Sequence, residues 1–261
     1  MSIKITAIPA PGDNYIWCLA NKKNNNALII DPGKARPVLD FLSARNLNLK
    51  GICITHHHLD HTGGVDKLLG KFKIPVYGPA GESVAGVSEK LTHNTTFAVQ
   101  ELGISLKALE TPGHTKGHLV FLGQLDGTPV LFSGDTLFSS GCGRVFEGSY
   151  LQMYKSLLLI RSLPDNTLVY SGHEYTLDNL QFALALEPDN KPLKAYARKV
   201  KQLREQGYPS VPTTLGDEKL YNPFFRCSEE ALALAAAQHT GSIPQTEVDV
   251  FTLLRKWKNR F

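Results

Sequence analysis

Short apolar runs dominate the first two-thirds of the chain. "IKITAI", "YIWCLA", "ALII", "GICI", "ISLKAL", "HLVFLG", "PVLFSG" and "TLVYSG" are rich in β-branched, aliphatic and aromatic residues and are bounded by Gly, Pro, Asn or Asp. That pattern predicts strands separated by turns, with a hairpin tip at Asn24 to Asn26. Helical spacing interrupts the series from Ala35 to Arg45, in "TGGVDKLLG" after Thr62, and from Tyr150 to Ser162. Beyond about Tyr175 the period becomes that of helices throughout. These run from Leu177 to Leu186, Lys191 to Gln206, Ser228 to His239 and Thr246 to Trp257. Ser228 and Thr246 are the expected N-caps, and Gly241 closes the third helix. Strands followed by a run of helices predict two units, residues 1–174 and 175–261.

Composition narrows the class. Apolar residues are 42% and charged residues 20% of the 261, the balance of a soluble globular protein with ample length for a core. The formal charge of +4 is mild and its charges are interspersed, which argues against a nucleic-acid partner or a membrane surface. Cys18, Cys53, Cys142 and Cys227 form no CxxC pair and read as reduced, mostly buried thiols. The N-terminal "MSIKITAIPAPGDNY" lacks an apolar stretch of signal-peptide length, and the longest aliphatic run, Leu157 to Ile160, is far too short to span a bilayer. A cytoplasmic monomer is the expectation.

One stretch changes the picture. "ITHHHLDHTGG" holds four of the nine histidines and an aspartate within six positions, on a loop between a predicted strand and a predicted helix. A helical zinc motif spaces its histidines four apart. Here His56 and His58 are two apart, so an extended segment projects them the same way, while Asp60 and His61 follow from the turn into the helix. Further on, "TPGHTKGH" offers His114 and His118, "FSGDTLF" offers Asp135 and "YSGHEYT" offers His173; His114, Asp135 and His173 each lie in or beside a glycine-containing turn next to a predicted strand. Ligands at the ends of several strands can converge on one edge of a sheet. Imidazole and carboxylate without cysteine suit zinc, and iron or manganese as well.

This series resembles the metallo-β-lactamase superfamily, whose fold is a four-layer αββα sandwich. The resemblance implies an α/β protein of that fold followed by a small C-terminal all-α domain. It also implies two divalent metal ions, most simply zinc, with His56, His58 and His114 on the first, Asp60, His61 and His173 on the second, and Asp135 between them. A hydroxide shared by two such ions would be the nucleophile of a hydrolase, leaving Asp60 and Asp135 as the catalytic carboxylates. His57 and His118 fill no motif position and are expected to support or pack against the ligands. His93 and His239 read as surface or helix residues.

The flanking segments narrow the branch. "GDNYIW", "THHHLDHTGG", "TPGHTKGH", "SGDTLF", "GCGRVFEG", "SGHEYT", "NPFFR" and "LRKWKNRF" run through almost the whole chain, and together they are similar to the glyoxalase II (hydroxyacylglutathione hydrolase) family. That likeness implies hydrolysis of S-D-lactoylglutathione to glutathione and D-lactate, with Arg144, Tyr175, Arg255 and Lys258 touching the glutathione moiety. Arg255 and Lys258 are three apart on a predicted helix and share a face, a reasonable clamp for a carboxylate. Two positions depart from the pattern: Arg144 stands where the family often has Lys, and Phe146 where it often has Tyr. The rivals are a glutathione persulfide dioxygenase of the same fold and a metal-dependent nuclease. A structural metal protein is a third, though structural zinc is usually closed by four ligands.

Overall fold

In the computed structural model, which describes residues 3–10 and 12–261, the central strands bury both faces, and the two faces belong to different cores. The first sheet has the order β1 (Ile3–Pro9), β2 (Tyr15–Asn21), β3 (Asn26–Ile30), β4 (Asn48–Cys53), β5 (Val76–Pro79), β6 (Glu89–Leu91). In β2, Ile16 and Cys18 pack outward against Ala35, Val38 and Leu42 of α1 (Ala35–Ala44), the buried stripe of that helix. Trp17 and Leu19 point the other way, into the space between the sheets. This is the period-2 alternation of a strand covered on both sides.

The second sheet is built from β7 (Thr96–Val99), β8 (Ile104–Glu110), β9 (Leu119–Leu125) and β10 (Thr128–Gly134). A two-stranded hairpin, β11 (Leu137–Phe138) and β12 (Gly141–Cys142), leads to β13 (Leu168–Ser171), which lies beside β10. Phe121 and Phe132 meet Trp17 and Leu28 between the sheets, while Val120 and Leu131 face the opposite side. Complete burial of a side chain of this size contributes roughly 1.5–3 kcal/mol each.

The outer face of the second sheet is covered by helices from two parts of the chain. Met153, Leu157 and Ile160 of α4 (Tyr150–Arg161) share one core with Phe182 and with Leu232, Phe251 and Leu254 from the C-terminal region. The layers are therefore α, β, β, α. Between β4 and β5 lie two short helices, α2 (Leu59–Thr62) and α3 (Val65–Leu69).

The C-terminal region contains α5 (Thr176–Leu186), α6 (Lys191–Glu205), α7 (Leu215–Tyr221), α8 (Glu230–Thr240) and α9 (Glu247–Lys258). Thr246 caps α9 in a capping box with Asp249, and Gly241 ends α8 with a φ of 71°. Ser228 does not cap α8. The Glu229 N–H bonds the Arg226 carbonyl, so Ser228 lies inside a turn and the helix begins two residues later. Two elements of this region escaped the sequence pattern. α7 is only seven residues long, and the two-residue β14 (Thr213–Thr214) pairs antiparallel with β13, extending the second sheet.

Candidate functional site

β3, β4 and β5 run parallel in one sheet, and β10 and β13 run parallel in the other. Backbone hydrogen bonds join the two sheets along one edge: Leu119 N–H to Thr55 O (2.8 Å) and Tyr15 N–H to Gly172 O (2.8 Å). The segments leaving β4, β8, β10 and β13 gather there. They carry His56 and His58, His114, Asp135 and His173 in that order. At Asp135 the approach depends on Gly134, whose φ of 47° is left-handed and whose absent Cβ would lie 2.7 Å from His118 Nε2.

Residues 55–57 are bent and not extended, and Asp60 and His61 sit within α2, not in the turn before it. The reason is local: His58 O already accepts the N–H groups of His61 and Thr62, so the helix starts one residue after His58. The pairing of donors survives this change. His58 Nδ1 lies 3.1 Å from His56 Nε2 and 3.0 Å from His114 Nε2. In a second group, His61 Nε2 and His173 Nε2 are 3.3 Å apart, and Asp60 Oδ2 lies 3.6 and 3.4 Å from them. Asp135 touches both groups, with Oδ2 3.4 Å from His114 and from His173 and Oδ1 3.3 Å from His61.

The far sides of these rings say which nitrogens face inward with lone pairs. His114 Nδ1 reaches the Arg144 carbonyl (2.9 Å), His61 Nδ1 reaches Asp31 (3.0 Å) and His173 Nδ1 reaches Asp13 (2.7 Å), all acceptors only. The Thr55 hydroxyl donates to Asp31 (2.7 Å), so its oxygen accepts from His56 Nδ1 (3.0 Å). Each of the four rings therefore carries its proton on Nδ1 and can present a bare Nε2 to the centre. Asp135 Oδ1 is buried and has no hydrogen-bond partner among the described residues. Converging lone pairs and an unsatisfied buried carboxylate oxygen fit a pair of divalent cations.

Electrostatics agree. Burial pushes His56, His58 and His114 below the usual imidazole range, keeping them neutral, as ligands must be. Burial opposes charge on His61 and His173 too, but Asp135 beside them outweighs it; His173 rises to about 11. Burial likewise opposes ionisation of Asp135, and the surrounding His61 and His173 reverse that, holding it well below the carboxylate range. A divalent cation would take the place of the protons that these charges retain.

His58, Asp60, His114, Asp135 and His173 line one end of a cleft of about 510 Å³. Arg144, Arg255 and Lys258 line it, together with Tyr175, whose ring stacks on His173 at 4.6 Å and 5°. Lys258 is half-buried, while Arg255 is 2% exposed and donates to the Cys142 carbonyl (2.6 Å). Among the described residues its Nε has no partner. Both thus face the cleft and not bulk solvent. Phe146 is 61% exposed and sits edge-on to His58 and His114, at 5.9 and 5.3 Å between ring centroids.

Residues 11–173 match the metallo-β-lactamase superfamily, and residues 174–261 match the family described as hydroxyacylglutathione hydrolase C-terminus. A hydroxyacylglutathione hydrolase from Nitrosomonas eutropha is 47% identical over 259 residues, covering 99% of both chains. This chain belongs to the hydroxyacylglutathione hydrolase family. Among solved structures, BLEG-1 B3 metallo-β-lactamase is 25% identical with a TM-score of 0.65, covering 85% of this chain and 100% of its own. TTHA1623, crystallised in a di-iron-bound form, is 25% identical with a TM-score of 0.53, covering 64% of this chain and 90% of its own.

Hydroxyacylglutathione hydrolase membership makes this a thioester hydrolase of metallo-β-lactamase fold, with clusters of His and Asp suited to two divalent metals. Several residues around those clusters escaped the sequence reading. Asp31 takes Thr55 N–H (2.8 Å) as well as the Thr55 hydroxyl and His61. Asp13 holds His173, and Asn14 donates to Asp60 Oδ2 (3.2 Å). "GDNYIW" and "DPG" contain them, but nothing local distinguishes these carboxylates from ordinary turn residues. His118 accepts the Asp135 N–H (3.0 Å) and so orients the backbone of that residue.

Proposed function

We propose that the chain hydrolyses S-D-lactoylglutathione and related S-2-hydroxyacylglutathiones to glutathione and the hydroxy acid, with two zinc ions, as a cytoplasmic monomer. One observation carries the reading: a single cleft is lined by members of both His and Asp clusters and by three cations, Arg144, Arg255 and Lys258. Glutathione carries two carboxylates, and guanidinium and ammonium groups are the partners such anions need.

His56, His58 and His114 would hold one metal, Asp60, His61 and His173 the other, with Asp135 shared. Two bound zinc ions would supply a hydroxide nucleophile at neutral pH and polarise the thioester carbonyl. The remaining work falls to the chain. Arg255 and Lys258 anchor the peptide end of the substrate. Arg144, whose carbonyl also accepts the His114 Nδ1 proton, meets the glutathione moiety on the side of the cleft nearest the His and Asp clusters. Asp60 is held by Asn14 and is ionised well below the usual range, by His173 first, so it accepts hydrogen bonds and does not donate them. The leaving group is a thiol of pKa about 8.5, which departs as thiolate without a strong acid in the site.

The test combines metal analysis with turnover of S-D-lactoylglutathione and a coenzyme A thioester. About two zinc ions per chain and a strong preference for the glutathione ester are expected. Equal turnover of both esters would remove the glutathione assignment. Oxygen uptake with glutathione persulfide and no thioester cleavage would replace hydrolysis by the dioxygenase alternative.

A further inference from the structure

His57 stands in the middle of the cluster yet belongs to neither group of converging donors. Its backbone N–H donates to Glu82 Oε2 (2.7 Å), and its ring Nε2 meets Glu147 Oε1 (2.7 Å). Both carboxylates continue to one other place. Glu82 Oε1 accepts the Gly117 N–H (3.0 Å) and the Thr115 hydroxyl, and Glu147 Oε2 accepts the Lys116 N–H (3.2 Å). Residues 115–117 immediately follow His114. We propose that Glu82 and Glu147 are positioning residues that fasten His57 to the segment after His114, and so hold the three donors of the first metal group together.

The geometry explains why such a fastening is needed. His56 and His58 lie on a bent segment leaving the first sheet, whereas His114 lies on a loop of the second. Their nitrogens nevertheless meet at 3.0–3.1 Å. One backbone bond, Leu119 N–H to Thr55 O (2.8 Å), ties the two segments on one side of the donors, and the carboxylates of Glu82 and Glu147 add the side-chain ties around His57. Hydrogen bonds from backbone N–H groups to carboxylates are charge-assisted and stronger than neutral ones. Space has been left for them: a Cβ on Gly117 would lie 2.6 Å from Glu82 Cγ. Glu147 adds the third loop, since its own N–H bonds the His114 carbonyl (3.3 Å) and Arg144 and Phe146 are its neighbours. His57, His58 and Glu147 also bring ligand atoms within 4.8 Å of one another, but a direct hydrogen bond already joins two of the three.

The inference rests on His56, His58 and His114 being ligands, not on the identity of the substrate. It is tested on the full chain with zinc, by competition against a chelator, comparing Glu82→Gln, Glu82→Ala and Glu147→Gln with the parent. Removing a group that orients a ligand typically costs 10–100-fold in metal affinity or activity, and Glu82→Ala is expected to loosen zinc by about that factor, with Glu82→Gln intermediate. In zinc-loaded Glu82→Ala, kcat should fall while KM stays within about twofold, because Arg144, Arg255 and Lys258 are untouched. In the metal-free chain, the His57 and Gly117 amides should exchange faster in Glu82→Ala. Zinc held as tightly by Glu82→Ala and Glu147→Gln as by the parent would overturn the proposal. A parent chain that binds no zinc would sink it together with the ligand reading.

Discussion

Asp31 Oδ2 lies 3.0 Å from His61 Nδ1, and the same carboxylate receives both donors of Thr55, whose oxygen takes the His56 proton. One buried side chain thereby sets the orientation of a histidine in each of the two donor groups. Asp31 does so from a left-handed backbone, φ 52°, which Asn tolerates better than most residues. Asp31→Asn therefore tests the chemistry without adding backbone strain. Its single acceptor oxygen cannot serve three donors, so zinc affinity should drop by about 10–100-fold. Equilibrium dialysis followed by metal analysis measures it; unchanged retention of two ions would count against this role.

Lys258→Ala should raise KM for the glutathione ester about tenfold with kcat nearly unchanged, the effect of losing one hydrogen bond to a charged partner. Arg255→Ala should do the same and also lower the melting temperature. Its buried guanidinium serves the Cys142 carbonyl, and truncation leaves that acceptor and a cavity behind. Steady-state kinetics and thermal melts on the two variants separate the effects. Identical melts would mean that Arg255 has no structural share.

Burial, with the neighbouring Arg255 charge, lowers the Lys258 ammonium to about 8. Its charge is complete below that pH and is lost as pH rises through it. KM for an anionic substrate should therefore climb between about pH 7.5 and 9, the window around that pKa. Lys258→Arg, which stays charged, should flatten the climb. A parent profile of KM that is level across this window would contradict the assignment.

Glu218 on α7 is completely buried and receives Ser139 Oγ (3.0 Å), Ser140 N (2.8 Å) and Asn222 Nδ2 (2.8 Å). Burial outweighs these hydrogen bonds and raises its carboxyl from 4.5 to about 7. Between those values the folded chain holds a proton that the unfolded chain has released. Stability should consequently fall as pH rises from about 4.5 to 7, by up to about 3 kcal/mol at roughly 1.4 kcal/mol per unit, and level off above. Denaturant melts of Glu218→Gln should lack this component. If parent and variant keep the same pH dependence, Glu218 is not its source.

The parts of the fold that were legible in the sequence are those set by neighbours in the chain. The apolar run "YIWCLA", bounded by turn residues, showed a strand, and in the fold its two faces enter two separate cores. Thr246 and Gly241 marked helix ends because capping is decided within four residues. Ser228 misled because it lies inside a turn from Arg226 to Glu229, and the helix starts only at Glu230. α7 and β14 were invisible for a different reason: seven and two residues are too few to show a period.

The sequence by itself offered the candidate donors: His56, His58, Asp60, His61, His114, His118, Asp135 and His173 stand out by residue type and by their places near turn-bounded strand ends, and the family resemblance then set His118 aside. Family resemblance added Arg144, Tyr175, Arg255 and Lys258. Only the tertiary structure decided which donors meet and what orients them. Asp13 reaches His173 across 160 positions, Asp31 reaches His61 across 30, and Glu147 reaches His57 across 90. A carboxylate that orients an imidazole needs no local pattern. It needs a hydrogen bond of about 3 Å, and packing two sheets face to face, so that loops from distant parts of the chain meet at one rim, supplies that.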